Sequence, residues 1–218
     1  MSSPQKENWK GSDNPYLALP RMVMLTYKMP EDIRQVAMQG EFNEFDLNVF
    51  FSAKGKGKEA RFVYENEVQS WLNLMTGKHL PANLLDLKLG KDRRPPMPFS
   101  DVRLLNVLSH TLWFLPNVAS CYAMKNLLEQ KQNTFYHEYK INLCAGTSAG
   151  IGLDALAPVL KSMGNPLKTK TITLTCGKLT TGVTVRPWTG IFMLRNLKSP
   201  ENIFSGGIQG AISVGDYK

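Results

Sequence analysis

The residues best suited to chemistry lie at positions 146–150, where Gly-Thr-Ser-Ala-Gly matches the G-x-S-x-G pattern of serine hydrolases. In that pattern a serine occupies a tight turn between a strand and a helix, and the turn exposes its hydroxyl as a nucleophile. The flanking sequence predicts this context, because residues 139–144 have a strand-like pattern and residues 153–163 a helical one. Ser148 is therefore the candidate nucleophile.

A nucleophilic serine needs a general base and donors for the oxyanion. The turn resembles that of patatin-like lipases, but no glycine-rich oxyanion loop precedes it and no Asp-Gly pair follows it. The three histidines, His79, His110 and His137, all precede Ser148, whereas the histidine follows the serine in the α/β-hydrolase order. We therefore expect a glycine turn without catalytic residues, and a hydrolase using Ser148 remains an alternative.

The cysteines predict no further chemistry. Cys121, Cys144 and Cys176 are widely separated and lie in apolar or strand-like contexts, which is typical of reduced core thiols. No pair of cysteines or histidines has the spacing of zinc ligands. We expect neither a metal ion nor a cofactor.

Charge is the strongest compositional signal, since 26 lysines and arginines against 18 acidic residues give a net charge of +8. Such a balance favours nucleic acid, an acidic membrane leaflet or an acidic protein as partner. We found no secretory signal and no transmembrane pattern, so membrane contact is expected to be peripheral. The candidate contacts to membrane or phosphate lie in two segments, one a mobile turn and one a proline-rich connector: Lys54, Lys56, Lys58 and Arg61; Lys91, Arg93 and Arg94.

The order of the patterns predicts an α+β protein. Residues 1–20 are a flexible polar arm, and residues 21–218 form a single compact domain. Strands are predicted at 45–51 and 60–64, a short helix around Trp71, and a central helical block at 100–115 and 117–131. The last third predicts an antiparallel sheet that contains a hairpin of residues 171–175 and 181–186.

The segment order at residues 61–89, with a phenylalanine pair before it, resembles the matrix proteins of rhabdoviruses, and a plant-infecting member is the better fit. The resemblance rests on a phenylalanine pair, an aromatic step, a tryptophan helix and a Gly-Lys turn before an apolar segment: Phe50-Phe51, Arg61-Phe62-Val63-Tyr64, Val68, Trp71, Gly77-Lys78 and Leu84-Leu85. It implies self-association, binding to the nucleocapsid, and attachment to anionic membrane during budding.

We accordingly expect a non-enzymatic viral structural protein of matrix type. It would bridge ribonucleoprotein and anionic membrane through its basic loops and act in assembly and budding. Homo-oligomers would form through the sheet or through the helix that carries Trp71, Leu72 and Met75. The protein would occur in the virion and, in the host cell, in membrane-associated form in the cytoplasm or nucleus. An RNA-binding coat or movement protein is the second alternative, beside the hydrolase.

Overall fold

A parallel sheet is the centre of the fold. The computed structural model describes residues 23, 25–27, 29–39, 44–78, 97–146, 153–177 and 185–196. Four strands, β5 (His110–Phe114), β6 (Lys140–Cys144), β7 (Thr171–Thr175) and β8 (Gly190–Met193), form this sheet in the order β6-β7-β5-β8. Every neighbouring pair in it is parallel.

One helix covers each face of the sheet. Helix α5 (Val118–Leu128) connects β5 to β6, and helix α6 (Leu153–Met163) connects β6 to β7. Trp113 and Leu174 pack with α5 in one core cluster, whereas Leu112 packs with α6 in a second cluster. Because both faces are covered, all five residues of β5 and of β7 are buried.

The earlier elements lie outside this sheet. They comprise α1 (Glu31–Arg34), the strand pair β1 (Met38–Gln39) and β2 (Glu44–Phe45), α2 (Leu47–Phe50), the antiparallel pair β3 (Ala53–Lys54) and β4 (Arg61–Phe62), α3 (Glu65–Met75) and α4 (Val102–Leu105). Short 3₁₀ helices occupy Gln35–Ala37, Gly57–Glu59 and Thr134–Glu138. Aromatic rings join the two parts, since Trp71 lies 5.1 Å from Phe51 and 5.9 Å from Trp113 between ring centroids.

The predicted α+β class with an antiparallel sheet is wrong, because the four-stranded sheet is parallel and the fold is α/β. Strands β6 and β7 agree with the predicted strand segments, and α6 agrees with the predicted helix. The partner of β7 differs from prediction. Strand β7 is hydrogen-bonded to β5 on one side and to β6 on the other. Helices connect β5 to β6 and β6 to β7, as parallel strands require.

Two further predictions are corrected. Residues 100–115 were expected to be one helix, but α4 is a single turn and His110 begins strand β5. Residues 45–51 were expected to be a strand, but they contain α2. The backbone amides of Asn48 and Val49 donate hydrogen bonds to the Asp46 carboxylate, which caps this helix. The arm at 1–20 and the hairpin partner at 181–184 lie outside the described residues, and the single-domain boundary stays a prediction.

Candidate functional site at the carboxyl edge of the sheet

The predicted strand–turn–helix context of the glycine motif is present. Strand β6 ends at Cys144, Gly146 follows with a φ of 79°, and α6 begins at Leu153. A left-handed φ of this size favours glycine, and a Cβ built on Gly146 would lie 3.6 Å from Val118, which is ordinary contact. Conformation rather than space therefore favours glycine here. Ser148 lies outside the described residues.

The Gly146 turn abuts the N-terminus of α5. The side chain of Asn117 caps this helix by accepting a hydrogen bond from the Ser120 amide at 2.9 Å. Val118, the first residue of the helix, is the neighbour of the Gly146 turn and is 38% exposed. The first amides of α5 thus lie at the same edge of the sheet as the turn after β6, where helix geometry favours negative charge.

An arginine crosses this edge. Arg195 follows β8, and its Nη1 donates a hydrogen bond of 2.9 Å to the carbonyl of Cys176, which follows β7. Strand β5 lies between β7 and β8, so the guanidinium passes over the end of β5. The Nε of Arg195 is buried and has no hydrogen-bond partner among the described residues. A fixed positive charge therefore lies at the carboxyl edge.

Asn196 fixes the chain that carries this arginine. Its Nδ2 donates to the Asp46 carboxylate at 2.9 Å, and its Oδ1 accepts from the Leu47 amide at 3.2 Å. The end of β8 is thereby tied to the N-terminus of α2. The sequence patterns gave no sign of Arg195, because a single arginine after a strand has no motif; only the sheet order reveals its position.

The three cysteines are far apart in the sequence but lie close together in the fold. The side chains of Cys121 and Cys176 hydrogen-bond to each other, and this bond together with burial raises the pKa of the Cys121 thiol. Cys121 and Cys144 are buried, which confirms their predicted core positions, while Cys176 is half-buried. Within the described ranges, no group of histidine, cysteine or acidic side chains could hold a metal ion.

The predicted basic turn is present as a hairpin that is hydrogen-bonded to α5. We call residues 54–61 the basic hairpin. Its Lys54, Lys56, Lys58 and Arg61 are all exposed. Asn126 of α5 donates hydrogen bonds to the carbonyls of Gly57 and Ala60 at 2.9 and 3.0 Å. Lys91, Arg93 and Arg94 lie outside the described residues, so that part of the prediction stays a prediction.

The other predicted residues have structural roles. Trp71, Leu72 and Met75 are at most 5% exposed and pack in the core of the chain itself. Self-association through them stays a prediction, although their side chains have contacts within the chain. His110 is buried in β5, His137 is exposed in a 3₁₀ helix, and His79 is not described.

An apolar cavity of about 470 Å³ lies between residues 25–27 and 29, α1, α3 and β8. Its polar lining includes Thr26, Tyr27 and Arg34. Burial, with a smaller contribution from Asp101, raises the pKa of Tyr27 to about 12, so this phenol keeps its proton at neutral pH. The cavity suits an apolar group, and its lining includes no acid–base pair among the residues that the structure describes.

No helix in the described part of the chain is long and apolar enough to cross a membrane. No family model matches the chain. The chain is similar to the protein named "Putative type II restriction enzyme and methyltransferase RM.MpnORF110P C-terminus" of Mycoplasma pneumoniae, with 28% identity over 168 residues. The match covers 74% of this chain and 22% of the relative, so the chain spans about a fifth of that protein's length.

This relative overturns the functional predictions. The resemblance to rhabdovirus matrix proteins is wrong, and so is the viral structural function in assembly and budding that it implied. The two alternatives, a coat or movement protein and a hydrolase using Ser148, do not agree with the relative either. The expectation of a non-enzymatic protein is also contradicted, because the relative's name describes an enzyme. The comparison supports, at most, a distant relation to restriction-modification proteins.

Proposed function

We propose that this chain is a DNA-binding domain related to restriction-modification enzymes. In this proposal the phosphate backbone of DNA binds at the carboxyl edge of the parallel sheet. The relative's name supports DNA as the substrate, since restriction enzymes and the methyltransferases that accompany them act on DNA. The net charge of +8 supports a polyanionic partner.

The observation that carries the proposal is the convergence of three features at one edge. The N-terminus of α5, the left-handed turn at Gly146 and the guanidinium of Arg195 all follow strand ends of the same parallel sheet. Open α/β sheets bind their ligands outside the carboxyl ends of the strands. Helix N-termini and arginine are both suited to phosphate oxygens.

Binding of a fluorescent DNA duplex, followed by anisotropy at about 50 mM salt, tests the proposal. We expect binding that weakens steeply with salt, and an Arg195→Gln variant that binds about tenfold more weakly because one charge-assisted bond is lost. Arg195→Lys should recover part of the affinity. Arg186→Gln is the matched control, since Arg186 is exposed and precedes β8 at the opposite edge.

Absence of DNA binding by the unchanged chain would overturn the proposed function. Equal losses in Arg195→Gln and Arg186→Gln would overturn the assignment to the carboxyl edge. Thermal unfolding of Arg195→Gln separates a folding defect from a binding defect, because this side chain also holds the Cys176 carbonyl.

A further inference from the structure

We infer that the basic hairpin, residues 54–61, is a second contact for the DNA phosphate backbone, separate from the carboxyl edge. This inference rests on the proposed function and adds a surface to it. The hairpin has four exposed basic side chains and one acid, Glu59. It therefore presents a concentrated positive charge to solvent.

Hydrogen bonds within the hairpin hold its backbone in one conformation. Strands β3 and β4 pair Lys54 with Arg61, and the Glu59 amide donates to the Lys56 carbonyl. Arg61 Nη1 donates to the carbonyls of Lys58 and Ala60, both at 2.8 Å. A pre-formed turn loses less conformational entropy on binding than a mobile loop would.

Helix α5 fixes the distance between the hairpin and the carboxyl edge. Ser120, in the first turn of α5, donates to the Phe51 carbonyl at 2.6 Å, whereas Asn126, in the last turn, holds Gly57. Six residues of helix separate these two anchors, which is about 9 Å along the helix axis. The lysines of the turn thus lie beside the C-terminal half of α5, away from its N-terminus.

Two neighbouring acids have partners outside the hairpin. Glu129 lies 3.8 Å from Lys125, and Glu65 accepts a hydrogen bond from Gln130 at 3.3 Å. In the part of the chain that the structure describes, no ion pair involves Lys54, Lys56 or Lys58. These three ammonium groups are available to an external anion.

Burial of the flanking aromatics favours nucleic acid over a membrane. Phe50 and Phe51 immediately precede the hairpin, and both are 0% exposed. They are therefore not available to insert into a lipid bilayer, and binding to anionic lipid would depend on charge alone. Binding to a phosphate backbone requires only the lysine and arginine charges.

The test compares two triple variants of the full chain by fluorescence anisotropy on the same duplex over a range of salt concentrations. Lys54→Gln, Lys56→Gln and Lys58→Gln are combined in one. Lys140→Gln, Lys161→Gln and Lys168→Gln are combined in the control. These three lysines are exposed near the amino edge of the sheet, and their substitution removes the same charge as the hairpin variant.

We expect the hairpin variant to lose at least about tenfold in affinity, with the slope of log affinity against log salt smaller by about 2 to 3. The control should lose much less. Equal losses in both variants, or an unchanged hairpin variant, would overturn the inference while leaving DNA binding itself intact. Vesicles of phosphatidylserine and phosphatidylcholine form the second arm: binding to them as tight as to DNA would also overturn it. If the unchanged chain binds no DNA, the proposed function fails as well.

Discussion

The hydroxyl of Thr171 lies 2.9 Å from Nδ1 of His110, across the pairing of β7 with β5. Nε2 of the same ring lies 2.9 Å from the Pro166 carbonyl, which can only accept. In the neutral ring Nε2 is therefore the donor and Nδ1 the acceptor, so the Thr171 hydroxyl donates to it. Two residues further along β7, the buried Oγ1 of Thr173 has no hydrogen-bond partner among the described residues.

This difference predicts opposite effects of the same substitution. Thr173→Val should increase the free energy of unfolding by about 1 kcal/mol, because it removes a buried hydroxyl that has no protein partner. Thr171→Val should decrease it by a similar amount, because it leaves Nδ1 of His110 without a donor. Urea unfolding of both variants measures the two changes. A destabilised Thr173→Val would indicate that the hydroxyl has a partner after all.

The two glycines of the basic hairpin should respond differently to alanine. A Cβ on Gly55, at φ 88°, would lie 2.6 Å from the Glu59 carbonyl oxygen, whereas one on Gly57, at φ 55°, meets nothing within 4 Å. Gly57→Ala should cost about 1 kcal/mol for the left-handed conformation alone. Gly55→Ala should cost clearly more, since the turn must also move. Equal costs in thermal or urea unfolding would contradict the close approach.

Alkaline pH should destabilise the protein. Burial raises the pKa of Tyr139 to about 12, with Glu138 adding to the effect, and burial raises that of Tyr136 further. The unfolded phenols titrate near 10. Above that pH the unfolded state loses protons that the folded state keeps, so stability is complete below pH 10 and declines as pH rises towards 12.

Urea midpoints at pH 9 and pH 11 measure this decline. Tyr139→Phe removes one ionisable group, so its midpoint should fall less between the two pH values than that of the unchanged chain. An identical fall in both proteins would show that Tyr139 does not contribute.

Cys121 should resist thiol reagents in the folded state. It is 0% exposed, and its hydrogen bond with Cys176 and its burial both raise the pKa of its thiol. The thiolate is the reactive form, so Ellman's reagent at pH 8 should modify Cys176 first and Cys121 only on unfolding. Cys121→Ser and Cys176→Ser identify which thiol reacts. Rapid modification of Cys121 under native conditions would contradict its burial.

Local signals in the sequence predicted many elements but not how the strands pair. The hydrophobic periodicity of residues 153–163 predicts α6, and Asn117 is a typical capping residue for α5. Both signals depend only on residues that are neighbours in the sequence. Strand β7 was recognised, but it was assigned to a hairpin of an antiparallel sheet. Thr171, Thr173 and Thr175 are in fact all 0% exposed, because α6 covers that face. Nothing in the pentapeptide indicates this cover.

The same limit applies to the candidate site. The turn after β6 was found from its glycines, but Arg195 and the N-terminus of α5 are brought to it only by the sheet order. The basic hairpin was found from its lysines. Its firm attachment depends on Asn126, which is distant in sequence and has no pattern of its own. Side chains that act through tertiary contacts cannot be identified from sequence patterns of neighbouring residues.

The strand order β6-β7-β5-β8 has a consequence for synthesis on the ribosome. Strands β5 and β6 emerge first, yet they are not neighbours, and β7 must be inserted between them. Until Thr175 has left the exit tunnel, β5 and β6 lack the strand that pairs with both of them. Strand β8, which pairs with the other edge of β5, emerges later still, so the four-stranded sheet is completed only after Met193 has left the tunnel.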